Sequence, residues 1–402
     1  MVEGRFKETE IGLIPEDWKV KKIGDICNIR RGASPRPIHD YISTNGIPWV
    51  KIADATAQHS RYIEWTKEFI SEEGRKKTVI VKPGDLILSN SATPGLPKFL
   101  KIDAGIHDGW LLLDPKMGFD KDFIYYMLVN ERPRLVGIAD GSVFRNLKTD
   151  IVRNHKFALP NSDVQSKIAN ILVNFDNKIE INQKMNQTLE KIGQAIFKHW
   201  FVHFEFPNKE GKPYKSSGGE MVNSDLGEIP EGWEVVKVAD LIELVYGKGL
   251  TKNNRNPGEI PVFGSNGITD YHNESYVKGP GLIIGRKGTV GKIHISYSDF
   301  WPIDTTYFVK SKIDSIMIFW YYLLNSLKLE KMNVHSAVPG LNRNDIYEIL
   351  VLKPKVNVLL DIESQLKSLF DKINQNNLEN IILSQIRDSL LPKLMSGKIR
   401  VI

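Results

Sequence analysis

Arg30, Arg31 and Arg36 crowd around the stretch RGASPRP, and Lys248, Lys252, Asn253, Asn254 and Arg255 gather in a stretch of similar character later in the chain. Arg286, Lys287 and Lys292 decorate the Gly-rich run GRKGTVGK. Arg145, Asn146 and Lys148 fall in one short segment, matched roughly by Asn342, Arg343 and Asn344 in another. Arg and Lys neutralise phosphates, Arg forks onto the guanine edge, and Asn onto adenine. The glycines would let backbone N–H groups come close to a phosphate. These residue types point to contact with a nucleic acid. The plain alternative is that soluble proteins expose Arg and Lys on loops in any case.

Signs of catalysis fall short one after another. GRKGTVGK lacks the first glycine and the Ser or Thr of a phosphate loop, because those positions hold Arg286 and Ile293. No H-E-x-x-H zinc motif and no G-x-S-x-G elbow occurs. Asp103 with Asp114, Pro115 and Lys116 loosely fits a nuclease spacing, which two surface turns explain better. The Asn/Asp-Pro-Pro-aromatic tetrapeptide of amino-methyltransferases is missing. The residues describe a binder rather than an enzyme, with no metal or cofactor of its own.

Composition agrees. Hydrophobic residues make up 41% and charged residues 25%, which is typical of globular chains. The net charge of +6 permits nucleic-acid binding without requiring it. The single cysteine, Cys27, leaves no internal disulfide and suits a reducing, cytoplasmic compartment. MVEGRFKETEIG has no apolar core of a signal peptide, and no apolar run is long enough for a membrane span.

The elements that must hold these side chains come as a duplication. GLIPEDWKV (12–20) returns as GEIPEGWEV (227–235), followed by Lys22, Asp25 and Gly32 against Lys237, Asp240 and Gly247. VKPGDLILSNSATPGLPK (81–98) aligns with VKGPGLIIGRKGTVGKIH (277–294), Asp108 with Asp304, and FIYYML (123–128) with FWYYLL (319–324). The repeat covers about 200 residues. Each copy opens with short strand-like runs broken by Gly and Pro and one or two helical stretches, an α+β domain. Trp18 and Trp233 anchor the chain where each domain meets the segments that follow.

Those segments differ in kind. Apolar residues recur at 168, 171, 175, 179, 185, 189, 192 and 196, and again at Ile362, Leu366, Leu369, Ile373, Leu383, Ile386 and Leu390. This 3-4 spacing predicts two long helices with a narrow seam, in which Asn182 and Asn376 are buried amides that set the coiled-coil register. The obvious partner of each helix is the other, the alternative being that each lies on its own globular domain. The expected order is a first domain at 1–158 with an entry segment at 1–20, and a long helix at 159–204. A linker and second entry segment follow at 205–234, then a second domain at 235–352 and a second long helix at 353–402.

GLIPEDWKV, FKHWFVHFEFP, GGEMVNSDLGEIPEGWEV and the C-terminal LLPKLMSGKIRV resemble the specificity (HsdS) subunits of type I restriction–modification systems over essentially the whole chain. The resemblance implies two target-recognition domains, each α/β in make-up, held apart by an antiparallel coiled coil of two long helices in pseudo-two-fold arrangement. Each domain would read one half of a split sequence in double-stranded DNA. It further implies no catalytic site in this chain. Adenine methylation and cleavage would belong to two methyltransferase subunits and to restriction subunits, which use S-adenosylmethionine, ATP and Mg²⁺. No base-contacting residue carries over, because the recognition domains cannot be matched position by position. Two rivals are a detached reader from a fused system and a duplicated adaptor that binds another protein.

Overall fold

The computed structural model describes residues 5–140, 146–335 and 340–401. They form two compact units, Met1–Gln183 with Leu378–Ile402, and Lys184–Asn377. Two helices of 40 residues, Ser162–Phe201 and Val356–Met395, each begin in one unit and end in the other. The unit boundaries therefore cut through the helices rather than falling at their starts.

In the first unit one five-stranded sheet runs Cys27–Arg31, Trp110–Pro115, Leu86–Ser89, Pro97–Leu100 and Tyr62–Ile63. The other runs Ile42–Ser43, Glu68–Ile70, Ile47–Val50, Ala104–Ile106 and Val79–Val81. Leu86–Ser89 is buried along its whole length, and the two-residue period sorts its side chains. Leu86 and Leu88 join the core beneath the helix Lys121–Asp140, while Ile87 joins the core shared with the second sheet.

The second unit repeats this logic with fewer strands. Ile242–Tyr246, Thr306–Ser311, Gly281–Gly285 and Ile293–Ser296 form one sheet, and Gly267–His272, Ile260–Gly264 and Trp301–Pro302 the other. Leu282 and Ile284 face the core that includes the helix Met317–Ser326, and Ile283 faces the opposite one. In both units the matched Lys–Asp pairs have the same task. The Asp25 carboxylate accepts from the Lys22 backbone N–H at 3.0 Å, and Asp240 from that of Lys237 at 2.9 Å, at the start of a one-turn helix.

The long helices pair antiparallel around amides. In the first unit the Asn182 side chain donates to Glu379 Oε2 at 2.8 Å and Asn380 Oδ1 at 3.0 Å. In the second, Asn376 donates to Asn186 Oδ1 and Asn186 to Asn377 Oδ1, both at 2.8 Å. Asn182 and Asn376 are fully buried. Each reaches the Asn four residues beyond the other, 182 to 380 and 376 to 186, which is the exchange expected of a two-fold repeat.

The expected apolar seam is corrected. Met185, Ile192 and Ile386 are 39%, 43% and 40% exposed, while Gln165, Ala169, Leu172, Gly193 and Phe197 occupy buried positions instead. A straight helix drifts against a 3.5-residue repeat, and here the ends pack on globular cores rather than on each other. Ile168, Ala169 and Leu172 belong to the first unit's core, as do Leu391, Leu394 and Met395 of the second helix. Phe197, Trp200 and Phe201 join the second unit's core with Val358, Leu359 and Ile362. Domain packing thus holds at the helix ends, and helix pairing in their middles.

Glu363 receives the backbone N–H of Phe319 at 2.7 Å in the first turn of Met317–Ser326. Burial pushes its carboxyl from the ordinary 4.5 up to about 7, against the lowering effect of the Phe319 and Ile318 N–H groups. The folded state thus holds this proton more tightly than the unfolded chain. Its contribution to stability is complete below about pH 4.5 and is lost as pH rises through about 7. Glu363→Gln is expected to flatten this part of the profile, narrowing the difference between melting temperatures at pH 5 and pH 8 in circular dichroism.

Candidate nucleic-acid interface

Gly32 and Gly247 mark the same junction in the two units. Gly32 N–H donates to Trp110 O at 2.9 Å and Gly247 N–H to Thr306 O at 3.0 Å. A Cβ on either would collide with a backbone carbonyl, that of His107 or of Ile303. Glycine is therefore the residue that lets the incoming strand lie against the loop carrying Asp108 or Asp304. A third segment closes each cluster. Leu147 N–H donates to Asn90 O at 2.7 Å, and Leu341 N–H to Arg286 O at 2.9 Å. This register places Lys148 opposite Asn342 and Thr149 opposite Arg343, which corrects the rougher sequence match.

In the first unit the cluster lines a cavity of about 610 Å³ containing Arg31, His107, Asp108, Asn146 and Lys148. Arg31 Nε donates to Asp108 O at 3.0 Å, and the buried Asn90 amide donates to the same oxygen at 3.1 Å. The Asp108 carboxylate accepts from the Ser34 hydroxyl at 2.7 Å and faces Arg36 at 3.5 Å and Arg31 at 3.9 Å. The Ser34 hydrogen bond leads the effects that hold its carboxyl below the usual range. Burial lowers His107, whose Nδ1 accepts the Gly109 N–H at 2.8 Å, so the ring is neutral near pH 7. Arg36 and His107 also line a neighbouring recess of about 840 Å³ with Trp49 and Lys51. Arg30 is exposed one residue before Arg31 on the strand, so it projects from the opposite face and lies outside the cavity lining. Arg145 lies outside the described residues.

The second unit fills the same framework differently. Tyr246, 45% exposed, stands where Arg31 stands in the first. The Arg286 and Arg343 guanidiniums lie 5.1 and 5.0 Å from its ring centroid, within cation–π range. Arg286 donates through Nε and Nη2 to Asp304 O at 3.3 and 2.8 Å, and Arg343 through Nη1 to Leu244 O at 3.5 Å. Among the described residues neither guanidinium forms an ion pair. Asn342 caps the turn at Arg343 by accepting the Asn344 N–H at 3.0 Å. Lys287 is exposed beside Arg286, and Lys248 lies 5.6 Å from the rings of both Tyr276 and Trp301.

Other expected positions have other work. Arg255 is turned inward to Asp270 at 3.1 Å and Leu250 O at 3.2 Å, while Lys252, Asn253 and Asn254 form an exposed 3₁₀ turn. Lys292 reaches Asn266 Oδ1 at 3.3 Å. The Gly-rich turn does not offer its backbone to a phosphate as expected. The Arg286 and Lys287 N–H groups go to Thr305 O, and those of Val290 and Gly291 to Gly288 O and Gly285 O. Side chains are what it presents. Lys116 of the nuclease-like spacing donates to Gly24 O and Asp25 O, and among the described residues no cluster of His, Cys, Asp and Glu could hold a metal. Trp18 packs beside Gly397 at the end of the second long helix, and Trp233 stacks on Phe206 at 5.2 Å beyond the end of the first. Sequence reasoning missed Asp108, Ser34, His107 and Tyr246. The alignment of Asp108 with Asp304, and of Gly32 with Gly247, was the signal that could have found the first and last.

Comparison with known proteins agrees with this duplicated plan. The model of the type I restriction modification DNA specificity domain matches residues 15–191 and 230–384. The chain is 29% identical to the type I restriction enzyme MjaIX specificity subunit of Methanocaldococcus jannaschii, covering 99% of this chain and 97% of that one. It is 22% identical to the HindI specificity subunit of Haemophilus influenzae, covering 95% and 100%. The crystal structure of a type I restriction-modification S subunit from M. genitalium shares its fold, with a TM-score of 0.57 at 17% identity over 94% of this chain and 96% of that one.

The glycine junction yields a direct test. Gly247→Ala must push the strand end away from the Ile303 carbonyl, at a cost of about 2 kcal/mol. The expected result is a lower urea midpoint for the variant with an unchanged slope.

Proposed function

Since the chain belongs to the family of type I restriction modification DNA specificity domains, we propose that it reads a bipartite duplex target, one half-site per unit, for partner subunits that modify and cut the DNA. The chain contributes recognition and no catalytic group. Adenine methylation, with its S-adenosylmethionine, falls to two methyltransferase subunits, and cleavage, with ATP and Mg²⁺, to restriction subunits. The complex works in the cytoplasm; no helix among the described residues is long and apolar enough to cross a membrane.

One observation carries this proposal: a single loop framework occurs in both units with unlike exposed side chains. That is what two readers of different half-sites need. The long helices support the partner assignment. Their first-unit portions expose Ile181, Leu378, Ile381, Ile382 and Ile386, and their second-unit portions expose Met185, Ile192 and Leu360. Apolar side chains left open on paired helices suit docking of partner helices. An adaptor would need that face too, but it has no use for arginines clustered on loops.

Binding should depend on partner and salt together. The chain alone is expected to bind duplex DNA weakly, with affinity falling steeply as added salt shrinks the entropic gain from releasing condensed counterions. With the modification subunit, binding becomes tight and confined to particular sequences in a bandshift series. ATP hydrolysis or DNA methylation by the purified chain alone would contradict the assignment, and absence of any DNA binding with the partner present would favour the adaptor.

The helices should set the gap between half-sites. Seven residues inserted after Gln183 and after Asn377 preserve every described amide pair, because Asn182 keeps Asn380 and Asn186 keeps Asn376. The insertion adds about 10.5 Å of helix, close to three base pairs at about 3.4 Å each. Methylation mapping should then return the same half-sites with a longer gap. An unchanged gap in a folded variant would show that the helices do not measure it.

A further inference from the structure

Equivalent positions in the two clusters can be compared atom by atom, because the same backbone hydrogen bonds hold both. The carbonyl of an aspartate, Asp108 or Asp304, accepts from the side chain at position 90 or 286. The carbonyl of that same residue, Asn90 or Arg286, accepts the N–H of Leu147 or Leu341. What differs is the chemistry presented. In the first unit the buried Asn90 is spent on holding the loop, and the Asp108 carboxylate, an acceptor only, lines the cavity beside Arg31, Asn146 and Lys148. Arg36 and Arg31 flank one of its oxygens at 3.5 and 3.9 Å, beyond ordinary hydrogen-bond length, so its lone pairs remain open to a donor. A carboxylate weakens attraction to DNA phosphates, so its value at such a surface lies in discrimination. The two arginines offset its charge.

In the second unit Asp304 is exposed as well, but two guanidiniums stand where the first unit has Asn90 and Thr149. Arg286 commits Nε and Nη2 to Asp304 O. Among the described residues Arg343 commits only Nη1, and that at 3.5 Å, which leaves its Nε–Nη2 edge as a fork held against the exposed Tyr246 ring. Such a fork matches the O6 and N7 acceptors of guanine, whereas a carboxylate matches the exocyclic amine of cytosine or adenine.

Resting on the DNA-reading function above, we propose that the two units read different base edges. Asp108 selects a base carrying an exocyclic amine in the first unit's half-site, and Arg343, positioned by Tyr246 and Arg286, selects guanine in the second's. Asp108 corresponds to Asp304 and Arg343 to Thr149, so the half-sites differ although the loop framework is shared.

The test uses the full chain assembled with its modification partner and a pool of randomised duplex DNA, with bound molecules sequenced. The wild-type complex is expected to return two half-sites separated by a gap. Arg343→Lys keeps the charge and removes the fork. It should lower the preference for guanine at one position roughly 10- to 100-fold while leaving the other half-site unchanged. Asp108→Asn, which can donate as well as accept, should relax one cytosine or adenine position in that other half-site. Arg343→Gln serves as a second variant at the fork and should relax the same guanine. A wild-type motif that survives Arg343→Lys and Arg343→Gln at every position overturns the proposal, as does loss of specificity by both Asp108 and Arg343 variants in one half-site. If the wild-type complex itself returns no motif, the DNA-reading function fails, an outcome distinct from a motif that the variants leave intact.

Discussion

Trp18 packs beside the C-terminal end of a helix that starts at Val356 in the other unit, and Trp233 stacks on residues just beyond the helix that starts at Ser162. Each globular core is thus completed by chain that arrives from the opposite copy of the duplication. Leu391, Leu394 and Met395 close the first core; Phe197, Trp200, Phe201 and Phe206 close the second. Burial of these side chains contributes about 1.5–3 kcal/mol each by area, and it is available only when both helices span their full length antiparallel. Folding of either domain is tied to correct pairing of the helices. The Asn182 and Asn376 amides make that pairing specific at a cost in burial, since among the described residues each side-chain oxygen lacks a partner.

The two joints between domain and helix are built from different chemistry despite their common origin. In the first, the Tyr126 hydroxyl donates to Asp176, which pairs with Arg387 from the second helix. In the second, Tyr322 meets Phe370 edge-on at 5.7 Å, and Gly193 takes the place of an opposing side chain, leaving room for the Tyr322 ring. A buried carboxylate needs its arginine, and losing one partner of such a pair costs about 3 kcal/mol or more. The second joint has no such ion pair, its nearby carboxylate, Glu190, being hydrogen-bonded to Tyr321. The duplicated halves are consequently not interchangeable: an aspartate in place of Phe370 would face Gly193 with no arginine to pair it.

At the interface, framework and content have separated. Backbone hydrogen bonds and a glycine junction shared by both units hold the loops, so side chains on them differ between the units while the framework stays. Asn90 against Arg286, Arg31 against Tyr246 and Thr149 against Arg343 are such changes. A reader of DNA requires this independence, because affinity for phosphates comes from general positive charge while discrimination comes from a few oriented edges.

Much of this architecture was decided by the sequence itself. The duplication follows from matched nonapeptides and their constant offsets, the long helices from a 3-4 apolar spacing, and the buried amides from Asn182 and Asn376 on that spacing. These are local or periodic signals, and a periodic signal survives in one dimension. The tertiary structure decided what depends on distance in space. It moved Met185 and Ile192 out of the seam, because the helix ends answer to globular cores that the spacing does not encode. It spent Arg255 on Asp270 and the Gly-rich turn's N–H groups on Thr305, since a cation or a donor in sequence says nothing of its nearest acceptor. Asp108 and Tyr246 became part of the site for the same reason. A carboxylate among arginines, and a ring beneath two guanidiniums, are assembled from strands and loops far apart in the chain, and only the packed fold brings them within reach of one another.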